Sequence, residues 1–151
     1  IKEYPENSIY LAYGYLYFNR EMHSEKRKVF NAAMDSLAKV VSSKSFFQYR
    51  ARSLQLRIFY ELSRQDDEWV EQVMYFAKAF RKHIRRKSQL NQRKAITFIN
   101  FINLTEKLAN YKLDQVKNRK RKLLKLKNEI EQTSPLFARD WIEEKFLELR
   151  K

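Results

Sequence analysis

One glycine, Gly14, and two prolines, Pro5 and Pro135, are all that 151 residues contain of the two strongest turn formers. Tight hairpins need residues at positive φ, and glycine fills most of those positions. Phosphate-cradling loops need several glycines at fixed spacing. A chain this poor in glycine is therefore excluded from β-sandwiches, β-barrels, dinucleotide-binding α/β folds and P-loops. It is not a disordered chain either. Hydrophobic residues make up 44% and aromatic residues 15%, enough apolar surface to offset chain entropy. The length fits one domain. An all-α fold is what remains.

The helical period of three to four residues runs along nearly the whole chain. Seven helices are predicted, over about 8–20, 24–42, 45–64, 67–87, 89–112, 114–132 and 137–151. The second carries the stripe Phe30, Ala33, Leu37, Val40 and Val41. The third carries Phe47, Ala51, Leu54, Ile58, Phe59 and Leu62. The fourth is opened by Asp66, Asp67 and Glu68, acids suited to a helix N-terminus, and carries Trp69, Val73, Phe76, Ala77, Phe80 and Ile84. The fifth is apolar most of the way round between Ala95 and Leu104, which predicts burial on two sides. The sixth carries Val116, Leu123, Leu126 and Ile130 and stops before Pro135. The seventh carries Trp141, Ile142, Phe146 and Leu149.

Short connections make sequential helices antiparallel neighbours. Three hairpins, about 8–42, 45–87 and 89–132, and a capping helix at about 137–151 describe a single domain stacked as an α-solenoid. The segment Tyr10-x-x-Tyr13-Gly14-x-x-Tyr17 resembles the first helix of a tetratricopeptide (TPR) repeat, with Tyr13 in place of its leucine. Ala33, Leu37 and Val40 match the spacing of that repeat's second helix, and Leu56 and Tyr60 recur in the third predicted helix. Gly14 sits mid-helix, where glycine costs about 0.5–1 kcal/mol relative to alanine, and close helix packing is the physical reason to keep it. The chain thus resembles a degenerate, lengthened TPR-like array. It is similar to uncharacterised TPR-containing proteins common in Bacteroidetes. The resemblance implies a bacterial helical-repeat scaffold and brings no activity.

No arrangement of catalytic type is present. There is no cysteine, so disulfides, thiolate zinc sites and cysteine nucleophiles are excluded. His23 and His83 are the only histidines and lie sixty positions apart. No enzyme activity, cofactor or metal is expected. The longest uncharged run, Asn7 to Asn19, is 13 residues, short of the roughly 20 needed for a membrane span. No signal-peptide pattern is seen, and the expected compartment is the cytoplasm. The chain opens on Ile1, which reads as a piece of a longer protein. Tyr4, Tyr10, Tyr13, Tyr15 and Tyr17 exceed one buried stripe, and some are expected to contact a preceding repeat.

The net charge of +14 is concentrated in two stretches. Residues 78–94 hold eight basic and no acidic side chains, and 111–127 hold eight basic and one acidic. Two functions follow as expectations. The first is a non-catalytic scaffold for a protein or an acidic peptide, with the first helix of each hairpin lining the concave face. Arg50 and Arg57, taken as exposed, are its candidate contacts. The alternative is binding of nucleic acid or another polyanion through Arg81, Arg85, Arg86, Lys117, Arg119, Lys120, Arg121 and Lys122, merged into one basic stripe on the outer face.

Overall fold

A computed structural model describes residues 11, 14, 27–39, 45–87, 92–111, 113 and 118–150. Among these the fold is all-helical, with no strand. Six helices are defined: α1 (Arg27–Ala38), α2 (Ser45–Gln65), α3 (Trp69–Lys87), α4 (Gln92–Tyr111), α5 (Arg119–Gln132) and α6 (Arg139–Leu149). Among the described residues that is one fewer than the seven expected. The helix expected at 8–20 lies outside the described residues apart from Leu11 and Gly14, which are both helical and buried. Val40, Val41, Val116 and the five N-terminal tyrosines lie outside them too. Among the described residues no helix is long and apolar enough to cross a membrane.

The chain divides into two compact units, Ile1–Trp69 and Val70–Lys151. In the first, α1 packs against α2. Ala33 and Leu37 of α1 are buried, as their spacing predicts. A Cβ on Gly14 would lie 2.6 Å from Cδ2 and 2.8 Å from Cγ of Leu37. Gly14 thus meets Leu37 of α1 with no room for a methyl group.

The third predicted helix is more deeply set than its stripe implies. Between 48 and 63 no position of α2 is exposed. Leu56 and Tyr60 add a second apolar face to Ala51, Leu54, Ile58 and Leu62. Ser53 and Ser63 are buried, and their hydroxyls donate to the carbonyls of Arg50 and Tyr60 one turn back. Phe59 stacks on Trp69 with ring centroids 6.1 Å apart. Asp66 Oδ1 accepts the Glu68 amide at 3.0 Å, so it ties down a free N–H just before α3.

In the second unit α3 and α4 run antiparallel. Asn110 Nδ2 reaches Met74 Sδ at one end, and Phe80 meets Phe98 toward the other. α4 and α5 are antiparallel as well, with Arg119 against Tyr111 at one end and Asn100 bonded to the Pro135 carbonyl at the other. α6 turns back along both. The core is a run of rings: Phe76 to Phe80, Phe80 to Phe98, Phe98 and Phe101 to Phe137, and Phe101 to Trp141, with centroids 4.5–6.5 Å apart. Phe137 also donates its amide to the Thr97 carbonyl at 3.3 Å, pinning the α5–α6 connection to α4. α4 is buried along one broad face, with Phe98, Phe101, Ile102, Thr105, Leu108 and Ala109 enclosed, but not on two sides as expected: Ile96 is 47% exposed, because the opposite side faces out of the core. α6 begins after Ala138, which stands at φ 53°, a left-handed conformation that suits glycine better.

Candidate functional site

The face of α4 left out of the core carries a polar row. Asn100, Asn103, Lys107 and Asn110 recur at intervals of three and four, which places them on one side of the helix. They floor a groove of about 440 Å³. Arg81 of α3 stands on one side and Glu129 and Thr133 on the other.

Two ion pairs close across this groove. Arg81 pairs with Glu106 and donates through Nη1 to Asn103 Oδ1 at 3.1 Å. Lys107 pairs with Glu129 of α5. Burial lowers the Arg81 pKa, and the neighbouring Arg85 charge lowers it further; a guanidinium still stays protonated at neutral pH. The groove therefore holds two cations and two anions and is neutral. What it offers a ligand is carboxamide chemistry. Asn100 Nδ2 and Asn110 Nδ2 already reach the Pro135 carbonyl and Met74 Sδ, and Asn103 Oδ1 accepts from Arg81. The row therefore turns the Asn100 and Asn110 carbonyls and the Asn103 amide toward a ligand, acceptors and a donor of the kind an extended peptide pairs with. The sequence signal for this row was available: Asn100 and Asn103 interrupt an otherwise apolar run.

The two arginines expected to contact a partner are placed differently from that expectation. Arg57 is 8% exposed and sits within the enclosed part of α2, one turn from the buried Glu61. Burial of Leu56 and Tyr60 on the helix face beside it is the physical reason. Arg50 is half-buried. Neither forms an open cationic surface.

Most of the basic residues expected to bind a polyanion are exposed, and they do not form one stripe. Arg85 and Arg86 are exposed, and Arg81 is half-buried in its ion pair. Arg119, Lys120, Arg121 and Lys122 are exposed, and Lys117 lies outside the described residues. α3 and α5 flank α4 and run in the same direction. Arg81 lies level with Asn103 and Glu106, and Arg85 and Arg86 continue one turn toward the start of α4. Arg119 lies level with Tyr111, near its end, donating to the Tyr111 hydroxyl at 3.1 Å. The two cationic groups are thus offset by about 15 Å along the helix axes, at a rise of about 1.5 Å per residue. The neutral groove lies between them.

Sequence reasoning also missed Lys145, a core lysine only 1% exposed. Its Nζ lies 3.3 Å from Glu148 Oε1 and 6.0 Å from the Trp141 ring centroid. Among the described residues no group of three or more metal-ligating side chains converges. His83 is half-buried on α3, and His23 lies outside the described residues. No family model, curated protein or solved structure matches the chain.

Proposed function

We propose that this protein is a non-catalytic scaffold that binds an extended peptide segment in the groove floored by α4. The observation that carries the reading is the row Asn100, Asn103, Lys107 and Asn110, with its flanking charges closed into pairs. Carboxamides at helical spacing hold the backbone of a ligand in register, and the neutral floor leaves side-chain selection to the rim. This replaces the acidic-peptide preference drawn from Arg50 and Arg57. The TPR-like reading of the fold belongs to the same proposal. It is supported by the antiparallel pairs α3–α4 and α4–α5, by α4 as the first helix of its hairpin, and by the tight packing of Gly14 on Leu37.

The test is to pan a displayed random-peptide library against the wild-type chain and against Asn103→Ala/Asn110→Ala. Both residues are exposed, so the variant should retain the wild-type circular dichroism and melting. Peptides enriched on the wild type should bind the variant at least about tenfold more weakly, the effect of losing one or two buried hydrogen bonds. Equal binding to both, or no enrichment at all, would remove the groove as the binding site.

A further inference from the structure

The end of the second unit remote from Arg85 combines exposed cations with exposed leucines. Leu124 of α5 is 60% exposed. Lys120, Arg121 and Lys127 stand four and three residues from it, on the same helix face. Across the α5–α6 seam, α6 adds Leu147, 55% exposed, and Arg150. The turn after α4 adds Leu113, 56% exposed, two residues beyond the Tyr111 that Arg119 touches. The seam opens into shallow cavities of about 340 and 220 Å³, whose walls include Leu123 and Phe146. Acids are present on the α6 side: Glu131 and Glu143 line the same cavity as Lys127, Leu147 and Arg150, and Glu148 follows Leu147. The cationic character lies on the α5 side, where Lys120, Lys127 and Arg150 line a cavity with Leu123 and Leu124 and no acid lines it.

Leu124 and Leu147, each more than half exposed, face the two cavities that share Lys127, Phe146 and Arg150, and so make a joint apolar rim rather than isolated exposed leucines. A nucleic acid would use the cations and give the leucines nothing. α5 has no aromatic residue on which a base could stack. An acidic lipid surface uses both, because phosphate and carboxylate headgroups meet the cations while apolar side chains enter the acyl boundary. The apolar face of α5 itself, Leu126 and Ile130, is buried in the core, so the contact is shallow and peripheral.

We propose that this leucine-and-lysine end of the second unit docks on bilayers rich in anionic lipid. The site is separate from the peptide groove and does not depend on it.

The experiment is co-sedimentation of the full chain with vesicles of phosphatidylcholine alone, or with about 30 mol% phosphatidylserine, at ~100 mM salt. Preference for the anionic vesicles should be at least about tenfold. Lys120→Glu/Lys127→Glu should abolish that preference, and Leu124→Ala/Leu147→Ala should weaken binding about fivefold. All four positions are exposed, and a thermal melt checks that each variant is folded. No preference for anionic vesicles overturns the proposal. So does a leucine variant that binds like the wild type, since charge alone would then account for binding. A short DNA duplex that strips the protein from vesicles, with affinity indifferent to the leucine substitutions, reassigns the surface to nucleic acid. Asn103→Ala/Asn110→Ala should bind vesicles unchanged, which separates this test from that of the groove.

Discussion

At Gly14, sequence and packing agree. A mid-helix glycine lowers helix stability, yet Leu37 occupies the space a Cβ would take. Gly14→Ala gains helix propensity and loses more to overpacking, for a net destabilisation of about 1–2 kcal/mol. Trimming the opposing side chain with Leu37→Ala should make the double variant more stable than the sum of the single losses predicts, measured by urea unfolding. Arg57 teaches the reverse. Its charge made it look like a surface contact, and only the burial of residues on both faces of α2 shows otherwise. Arg57→Glu sets a carboxylate one turn from Glu61 inside that helix. It should cost about 3 kcal/mol of stability, the loss expected for an uncompensated buried charge. A variant as stable as the wild type would return Arg57 to the surface. Stripe residues such as Val73, Ala77, Phe80 and Ile84 were legible because one apolar face is enough to predict them. Arg57, Glu61 and Lys145 were not, because a charged residue is buried only when tertiary neighbours surround it, and spacing carries no trace of those neighbours.

At the scale of the element, helix ends were legible where a local signal exists and hidden where a distant side chain does the work. Asp66 before α3 and Pro135 after α5 are local signals, and both act near where the sequence places them. Arg139 is not. A cation in the first turn of α6 opposes that helix's own dipole. Its guanidinium instead reaches the end of α5, donating to the Ile130 carbonyl at 3.0 Å and to the Thr133 carbonyl. One residue thus adds a charged donor to the Ile130 carbonyl, which also accepts the Thr133 amide at 3.4 Å, and to the Thr133 carbonyl, and ties the two helices together. Arg139→Met keeps the stem and removes the donors. It should destabilise the protein by about 1–2 kcal/mol, since charge-assisted bonds exceed neutral ones. Arg139→Lys should recover only part of this, because one ammonium cannot present the same fork. The neighbouring Ala138 offers the opposite change. Ala138→Gly relieves a left-handed alanine and should raise the melting temperature by a few degrees. The candidate groove belongs to this scale too. Its asparagine row lies in the sequence, but its walls exist only because α3 and α5 flank α4 from opposite sides.

At the scale of the whole molecule, the charge is the dominant long-range force, and it is unevenly held. Residues 1–69 carry 11 basic and 9 acidic side chains, whereas 70–151 carry 21 basic and 9 acidic, a net of +12 in the second unit. Folding brings these cations closer than they lie in an open chain, and their repulsion opposes the compact state. The pairs Arg81–Glu106 and Lys107–Glu129 act the other way, each contributing at most about 1 kcal/mol at these exposures. Salt screens both effects, so its net influence reports which is larger. Eight cations within residues 78–94 and eight within 111–127 outnumber the two pairs, and repulsion should win. Raising sodium chloride from ~20 to ~300 mM should therefore increase the melting temperature, by about 3–5 °C for a protein of this size. Reversing Lys120 and Lys127 to Glu should remove part of that increase, while Asn103→Ala/Asn110→Ala should leave it intact. A melting temperature that falls with salt would mean the ion pairs across the groove outweigh sixteen clustered cations. The groove would then be the electrostatic keystone of the fold as well as its candidate binding site.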